Sequence, residues 1–552
     1  MNLKYALFLF GLLTLLVPVT AQTAPGKYWV RFTDKDNSPY SLSNPTAFLS
    51  PATVLRRAVL GIPYEERDLP VNEAYIQQVL ALGDCTLHNR SKWFNAVTIA
   101  TADSTLLEVI AALPFVAETR AVVSWTQPEK GKYGNVPAMP RSAACSAFEK
   151  AYGPSFRQVE MLNGHRLHQL GFRGSGISIA VLDAGFWRTD LLPAFASLRA
   201  RGGIAGVRDF VAGGTGVYNH SNHGTFVLSV MAAQIPDSLC GAAPDATYWL
   251  FRTEDSASEY RVEEDNWVAA AELCDSLGID IINSSLGYSL FDDSLQHYTY
   301  ADMDGNTTRV TQAADLAARR GILVVNSAGN SGNSAWRYIT APSDGDSVLC
   351  VGAVDANRVK MGFSGFGPSS DGDTKPNVCA MGGSCVLADL DSTIRTGSGT
   401  SFSSPIVAAM SACLWQVFRD RSNMEIFDAV QRSAEFFNNP NDSVGHGIPD
   451  FWQAFLLLRG SQQSTAENGV EIWPNPSAGP VNLLVNAADA CILTASVYDA
   501  SGKRVWESKA FQEFGGAALL HADPPLSPGC YVVRVREGDR EIGVQRLVRI
   551  DP

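Results

Sequence analysis

The sequence predicts an α/β protein whose centre is a mostly parallel, doubly wound sheet, with a small α/β unit before it and a β-sandwich after it. Three observations carry this. Short apolar runs at Ile177, Thr247, Ile279, Ile322 and Ser347 alternate with helical stretches such as Val262–Leu277 and Thr311–Arg320, which is the rhythm of strand, helix, strand. Ahead of Arg141 a shorter alternation of strands and helices stands by itself. After Val470, short strands follow one another with Gly, Pro and Asp between them and almost no helical period. The 552 residues allow about three to four domains, and 46% hydrophobic residues supply ample core.

In chain order, residues Met1–Ala21 combine an early Lys4, the apolar run FLFGLLTLLVPV and a small-residue end. They read as a cleaved secretory signal peptide, too short for a membrane span, and no later stretch is long and apolar enough to be one. The unit expected at residues 22–141 opens on the strand-like alternation Lys27–Phe32. It continues with helices over Ser50–Leu60 and Asn72–Leu82, a strand over Trp93–Thr98, and a helix over Leu106–Leu113 ahead of PFVAETRAVV. Thr126–Pro140 is rich in Pro, Gly and Lys, as an exposed segment is, so proteolytic processing is expected between Thr126 and Tyr152. Ala151–Arg173 leads into the central domain, expected at residues 142–460, through a helix bearing His165 and His168. Two histidines at i,i+3 rarely complete a metal site and are read as structural. A polar linker at 461–468 then separates off the β-sandwich of residues 469–552.

The chemistry centres on Gly397–Ala409, GSGTSFSSPIVAA. Small residues permit a tight turn, Ser401 stands where the turn ends, and the apolar run beyond it reads as a buried helix. Backbone N–H groups at a helix start, with the positive end of the helix dipole, suit an oxyanion beside the hydroxyl. Pro405 is expected in the first turn, where proline is tolerated. A serine hydroxyl is a weak nucleophile until a base takes its proton and a third group orients that base. Asp183 ends the apolar run GISIAVLDAGF, at the strand end where open α/β sheets keep their sites. His223, in NHGTFV, opens a predicted helix. The chain order is therefore Asp, His, Ser, and the GxSxG elbow of the α/β-hydrolases is missing around Ser401.

The segments AVLDAGF, HGTFV and GTSFSSP resemble the three signature blocks of the subtilase family of serine proteases. Ile281–Gly287, IINSSLG, and Gly321–Asn330, GILVVNSAGN, resemble two further blocks that lie between the His and Ser blocks in that family. The resemblance implies a subtilisin-like fold and a serine endopeptidase. It assigns nucleophilic attack to Ser401, proton transfer to His223, and orientation of the imidazole to Asp183. Asn330, with the backbone N–H of Ser401, would form the oxyanion hole. Ser285, Leu286 and Gly287 would present a strand edge to an extended protein or peptide substrate. Ala184 replaces a common Ser or Thr, and KPNVCAM only approximates the family's KPDVxAPG; these departures bear on local hydrogen bonding and loop shape.

The N-terminal unit, ending in LPFVAETRAVV, resembles subtilase propeptides, which cap the active site and template folding; the chain would then be a zymogen with its own propeptide as partner. The tail markers WPNPS, SVYDASGKRVW, LSPGCYVVRV and QRLVRI resemble the C-terminal sorting domain of the bacterial type IX secretion system. That resemblance implies a secreted or cell-surface protein, with the secretion machinery as a partner. The rival reading is a catalytically degenerate subtilase-fold surface adhesin; the intact Asp183, His223, Ser401 and Asn330 weigh against it. The resemblance also suggests broad cleavage after large apolar residues.

A formal net charge of −13 argues against nucleic acid or anionic lipid as partner. Ten cysteines fit an oxidising compartment, with Cys379–Cys385 and Cys491–Cys530 as candidate disulfides. No cofactor is required for the implied chemistry, and no residue is assigned as a metal ligand. Asp302–Asn306 and Asp371–Asp373 lack the distal glutamate of an EF-hand and read as acidic turns. Structural calcium, common in subtilases, is allowed but has no assignable ligands.

Overall fold

Strands β1 (Gly26–Phe32), β2 (Cys85–Ser91), β3 (Ala96–Thr101) and β4 (Val116–Ala121) form an antiparallel sheet in the order β2-β3-β1-β4. Tyr28, Val30 and Phe32 alternate onto the face covered by helices α2 (Glu73–Leu80) and α3 (Leu106–Ala111), where Ile76, Val79, Leu106 and Ile110 complete a core. Helix α1 (Pro51–Leu60) starts where the Ser50 side chain accepts the Thr53 N–H, and it ends at Gly61 in the left-handed region. The strand expected at Trp93–Thr98 begins later: Trp93–Asn95 make the β2–β3 turn, with Asn95 at φ 49°. The structure, a computed structural model, describes residues 26–123, 151–391, 393–460, 470–473, 475–477, 481–487, 491–512, 516–522 and 524–550. The expected signal peptide Met1–Ala21, the segment Thr126–Pro140 and the linker 461–468 lie outside the described residues.

The central sheet has seven strands. They are β5 (Ser178–Asp183), β6 (Ile204–Asp209), β7 (Thr247–Arg252), β8 (Ile281–Ser284), β9 (Leu323–Ser327), β10 (Val348–Val354) and β11 (Val378–Met381). All pairings are parallel, in the order β11-β10-β9-β8-β5-β7-β6. Successive side chains divide between two cores. Ile179, Val181, Leu323 and Val325 pack with helices α4 (His223–Ala232) and α7 (Thr400–Val417). Ala180, Leu182, Ile282 and Val324 pack on the opposite face with α5 (Val262–Leu277) and α6 (Arg309–Arg319). Burial on both faces is why these strands read as continuous apolar runs. Strand β5 lies between β8 and β7, so the chain turns to opposite sides of the sheet from it, and its carboxyl end is where such sheets place ligands.

The tail contains two antiparallel sheets. One is made of Val470–Trp473, Val481–Ala487 and Gly516–Ala522, the other of Cys491–Tyr498, Arg504–Gln512, Gly529–Glu537 and Arg540–Arg549. Val470, Val481, Leu483 and Val485 of the first pack with Leu493, Val497, Val533, Val535 and Leu547 of the second.

Neither candidate disulfide forms. Cys530 is free and exposed, and register excludes Cys491 as its partner: Leu493 faces Glu537 and Tyr498 faces Val532. The two cysteines therefore lie toward opposite ends of the paired strands, roughly 30 Å apart at about 3.3 Å per residue. Cys379 and Cys385 are buried free thiols aimed at different acceptors, the carbonyls of Val444 (3.5 Å) and Met381 (3.2 Å).

The second face of the N-terminal sheet sits on α5 and α6. Asn89 donates to Asn266 at 2.6 Å; Ser91 Oγ and the N–H groups of Lys92 and Trp93 converge on the Glu272 carboxylate at 2.6–3.0 Å. Arg57 bridges Asp68 (2.6 Å) and Asp275 (2.9 Å), Lys92 adds a second cation to Asp275 at 2.9 Å, and Arg320 joins Asp68 at 2.8 Å. Burial works to raise the Asp275 pKa, but Lys92 and Arg57 outweigh it and hold the carboxyl well below its usual range.

Candidate active site

Asp183 is the last residue of β5 and His223 the first of α4. Their close approach depends on Gly224: a Cβ there would lie 2.4 Å from the Gly185 carbonyl and 2.9 Å from the Asp183 Cβ. The His223 Nδ1 lies 2.9 Å from both carboxylate oxygens of Asp183. Since a carboxylate only accepts, Nδ1 is the protonated nitrogen and Nε2 the basic one. Asp183 is 0% exposed and His223 7%. The Ala184 N–H donates to Asp183 at 2.7 Å, so the alanine at this position still supplies a hydrogen bond, through its backbone.

Ser401 is the second residue of α7. Pro405 is the sixth residue of that helix, beyond the first turn expected for it, because the helix already begins at Thr400. A proline there offers no N–H to the carbonyl four residues back, which is that of Ser401. That carbonyl instead accepts from the Ser285 hydroxyl at 3.0 Å. The Asn283 amide contacts Ser285 Oγ at 3.4 Å and accepts from Ser404 at 3.0 Å, so the start of α7 is tied to the end of β8.

Asn330 follows β9. Its Oδ1 accepts the Thr400 N–H and the Thr400 hydroxyl, both at 2.9 Å, which commits the oxygen end of the amide and leaves Nδ2 as the donor end. The segment Ser285–Gly287, just beyond the end of β8, is steadied by Asn326, whose Nδ2 donates to the Leu286 carbonyl at 3.0 Å. His223, Ser401, Asn330, Ser285, Leu286 and Gly287 line one cleft of about 400 Å³. Asp183 stands behind His223. All seven residues named from the sequence are thus brought together.

Sequence reasoning missed Glu254, Glu259 and Thr340, which line the same cleft, and Thr400 and Asn283, which hold its parts. The available signal was position: TEDSASE begins directly after the buried run TYWLFR, at the carboxyl end of a strand beside β5. Two carboxylate groups could hold a hard cation through oxygen ligands. Glu254, Glu259 and Glu263 place one oxygen each within 4.8 Å of one another, as do the exposed Asp346, Asp371 and Asp373. The acidic turn Asp371–Asp373 thus gains a third member from the loop ahead of β10. Glu254 also accepts the Tyr288 hydroxyl at 2.6 Å.

Asp183 and His223 thus form a buried pair beside the cleft that Ser401, at the start of α7, lines. Residues 174–447 match the family model of the subtilase family, residues 27–135 that of the Peptidase S8 propeptide domain of Bacteroidota, and residues 471–549 that of the secretion system C-terminal sorting domain. Subtilisin DY of Bacillus licheniformis is 26% identical over 52% of this chain and 93% of its own length. Subtilisin E of Bacillus subtilis is 27% identical over 51% of this chain and 66% of its own. The crystal structure of MycP1 from Mycobacterium smegmatis is 21% identical, covers 60% of this chain and 90% of its own, and superposes with a TM-score of 0.44.

The chain belongs to the subtilase family. It is a serine-type endopeptidase made as a zymogen, and its sorting domain makes it a secreted or cell-surface protein. Among the described residues no helix is long and apolar enough to cross a membrane.

Proposed function

We propose that Ser401, His223 and Asp183 are the catalytic triad and that Asn330 completes the oxyanion hole. The observation that carries this reading is the Asp183–His223 pair at 2.9 Å opening onto the cleft that Ser401 and Asn330 line. A peptide lies extended along Ser285–Gly287, main chain to main chain. Ser401 Oγ attacks the scissile carbonyl while Nε2 of His223 takes its proton. Asp183 keeps the imidazole in the tautomer that makes Nε2 basic and stabilises the imidazolium. The carbonyl oxygen, now an anion, receives the Asn330 Nδ2 and the Ser401 backbone N–H. His223 protonates the departing amine, and water hydrolyses the acyl-enzyme by the same steps in reverse order of roles.

The same reading divides the chain into a signal peptide at 1–21, a propeptide at 22–141, the peptidase at 142–460 and the sorting domain at 469–552, with cleavage between Thr126 and Tyr152. In support, Val122 accepts the Val262 N–H at 3.1 Å, so the chain leaves the N-terminal unit close to Glu259 at the cleft.

Labelling the processed protein with a fluorophosphonate probe, followed by peptide mapping, tests this directly. Modification at Ser401 that disappears in Ser401→Ala is the expected result. A folded, processed protein that takes no label would overturn the triad and favour a binding role for the cleft.

A further inference from the structure

Helix α1 is amphipathic in reverse. Its buried residues are the polar Thr53 and Arg57, which hold the carboxyl end of α5: Thr53 donates to the Asp275 carbonyl, and Arg57 pairs with the Asp275 carboxylate at 2.9 Å. Leu55 and Val59, one turn apart, are 66% and 64% exposed. A surface helix ordinarily turns its apolar stripe inward, so a stripe turned outward beside a cavity marks a binding surface.

The cavity is a groove of about 530 Å³, larger than the cleft of about 400 Å³ that Ser401 lines. Leu55, Arg56 and Val59 of α1 form one wall. The peptidase forms the other, with Ser178 and Asp280 at the amino ends of β5 and β8, Trp249 of β7, and Trp415 near the end of α7. The groove therefore lies at the opposite end of the central sheet from Asp183, and it exists only while the two units are docked. Its charge is lopsided. Arg56, Arg419 and Arg421 line it against one carboxylate among the described residues, that of Asp280, in a chain of net charge −13. Asp280 pairs with Arg419 at 3.2 Å, and Arg421 pairs at 2.8 Å with Glu425, a half-exposed carboxylate outside the lining. Arg56 donates to the Ile279 carbonyl at 2.6 Å and stands 3.8 Å from the Asp275 carboxylate.

We propose that this groove binds an amphipathic carboxylate, a medium-chain fatty acid, and that the bound acid holds the N-terminal unit on the peptidase. The hydrocarbon chain covers Leu55 and Val59 on one side and Trp249 on the other, taking apolar surface out of water. The carboxylate meets guanidinium groups, whose forked donors match its two oxygens. A cationic head group is opposed by the three arginines, and a purely apolar ligand leaves them without an added partner. Because the two walls belong to different units, an acid that binds the docked form and not the separated ones tightens docking by the same factor as docking tightens the acid. Release of the N-terminal unit from the zymogen then responds to fatty acid in the surroundings, at a site independent of the triad.

The test is titration calorimetry of decanoate, below its micellar concentration, into the secreted, uncleaved zymogen carrying Ser401→Ala. One saturable site is expected, with affinity rising roughly fourfold per CH2 from octanoate to decanoate and at least about tenfold weaker for decanol, which lacks the charge. Val59→Glu, at an exposed position, sets a like charge beside the ligand and should cost about tenfold or more. Arg419→Gln, at a half-exposed position, should weaken binding about two- to fivefold. In the processed protein, decanoate should lower the dissociation constant of the N-terminal unit. A peptidase freed of residues before Tyr152 that binds decanoate as tightly as the zymogen overturns the proposal, as does undiminished binding to Val59→Glu or equal binding of decanol. Absence of decanoate binding also overturns it, and if the zymogen then dimerises in a way that Val59→Glu abolishes, the occupant is a second copy of this chain.

Discussion

The two places where this protein meets another stretch of polypeptide handle polar groups in opposite ways. On α5 and α6, where the N-terminal unit sits, buried carboxylates are held by cations and N–H donors, while Arg57 Nε, Trp93 Nε1 and Arg320 Nη2 have no hydrogen-bond partner among the described residues. Arg57, Lys92 and Arg320 share Asp68 and Asp275, and Glu272 accepts three donors. In the cleft the groups are small and several are neutral, and Thr340 Oγ1 has no hydrogen-bond partner among the described residues. A matched set of buried charges gains little over an apolar contact but is costly to disturb, so it fixes one docking geometry. Donors and acceptors kept partly unmatched are what a cleft needs if its strongest bonds are to form with a passing substrate and its transition state.

Removing one cation from the docking face should produce the largest effect. Arg57→Ala leaves Asp68 and Asp275 short of their shared partner inside the interface, and breaking a buried pair from one side costs about 3–5 kcal/mol. In the processed protein, the dissociation constant of the N-terminal unit should rise about a hundredfold or more. Arg90→Ala is the matched control: its pair with Glu73 is half-exposed on both sides, and such pairs contribute about 1 kcal/mol or less. Equal effects of the two substitutions would erase the contrast drawn here.

In the cleft, Asn330→Ala should lower kcat by about 10²–10³ with little change in KM, since the donor matters only once the oxyanion develops. A rise in KM at constant kcat would instead make Asn330 a ground-state contact and move the cleft toward the docking face in character.

The sequence was legible where an apolar run ends at a polar residue. Strand β5 ending at Asp183, α4 opening at His223 and α5 spanning Val262–Leu277 all follow from burial on one face or two, which hydrophobic spacing records. Edge strands escaped it. Strand β2, CTLHNRS, has no apolar alternation because its outward contacts are hydrogen bonds to Asn266 and Glu272, and β6, IAGVRD, is half-buried at the end of its sheet. Disulfide candidates failed for a related reason: spacing along a chain says nothing of strand register, which separates Cys491 from Cys530. Nothing in the sequence singled out Glu254 or Thr340; the approach of Tyr288 to the first and of Gly287 to the second comes from tertiary packing.

The contrast has a pH signature on the docking side. Burial, assisted by Lys27, lowers the His88 pKa to about 4, while a released imidazole titrates near about 6.5. Between those values the released form binds a proton that the docked form refuses, so this group weakens docking as pH falls from 6.5 toward 4. Burial raises Asp265 to about 6 against the pull of Arg309, while a released carboxyl titrates near about 3.9. Its contribution is full below about 3.9 and is lost as pH rises through 6, so it strengthens docking over nearly the same acidification. The two offset each other. Asp275, held below its usual range, contributes above about 3.9 and loses that contribution only in stronger acid. The dissociation constant of the N-terminal unit should therefore stay within a few-fold from pH 7 to 4 and climb below that. His88→Asn should leave Asp265 unopposed, so that docking tightens between pH 6 and 4, and Asp265→Asn should leave His88 unopposed, so that docking weakens by up to about tenfold per pH unit below 6.5. Steep release of the wild-type unit between pH 6.5 and 5 would show that the matching of charges on this face does not extend to its protons.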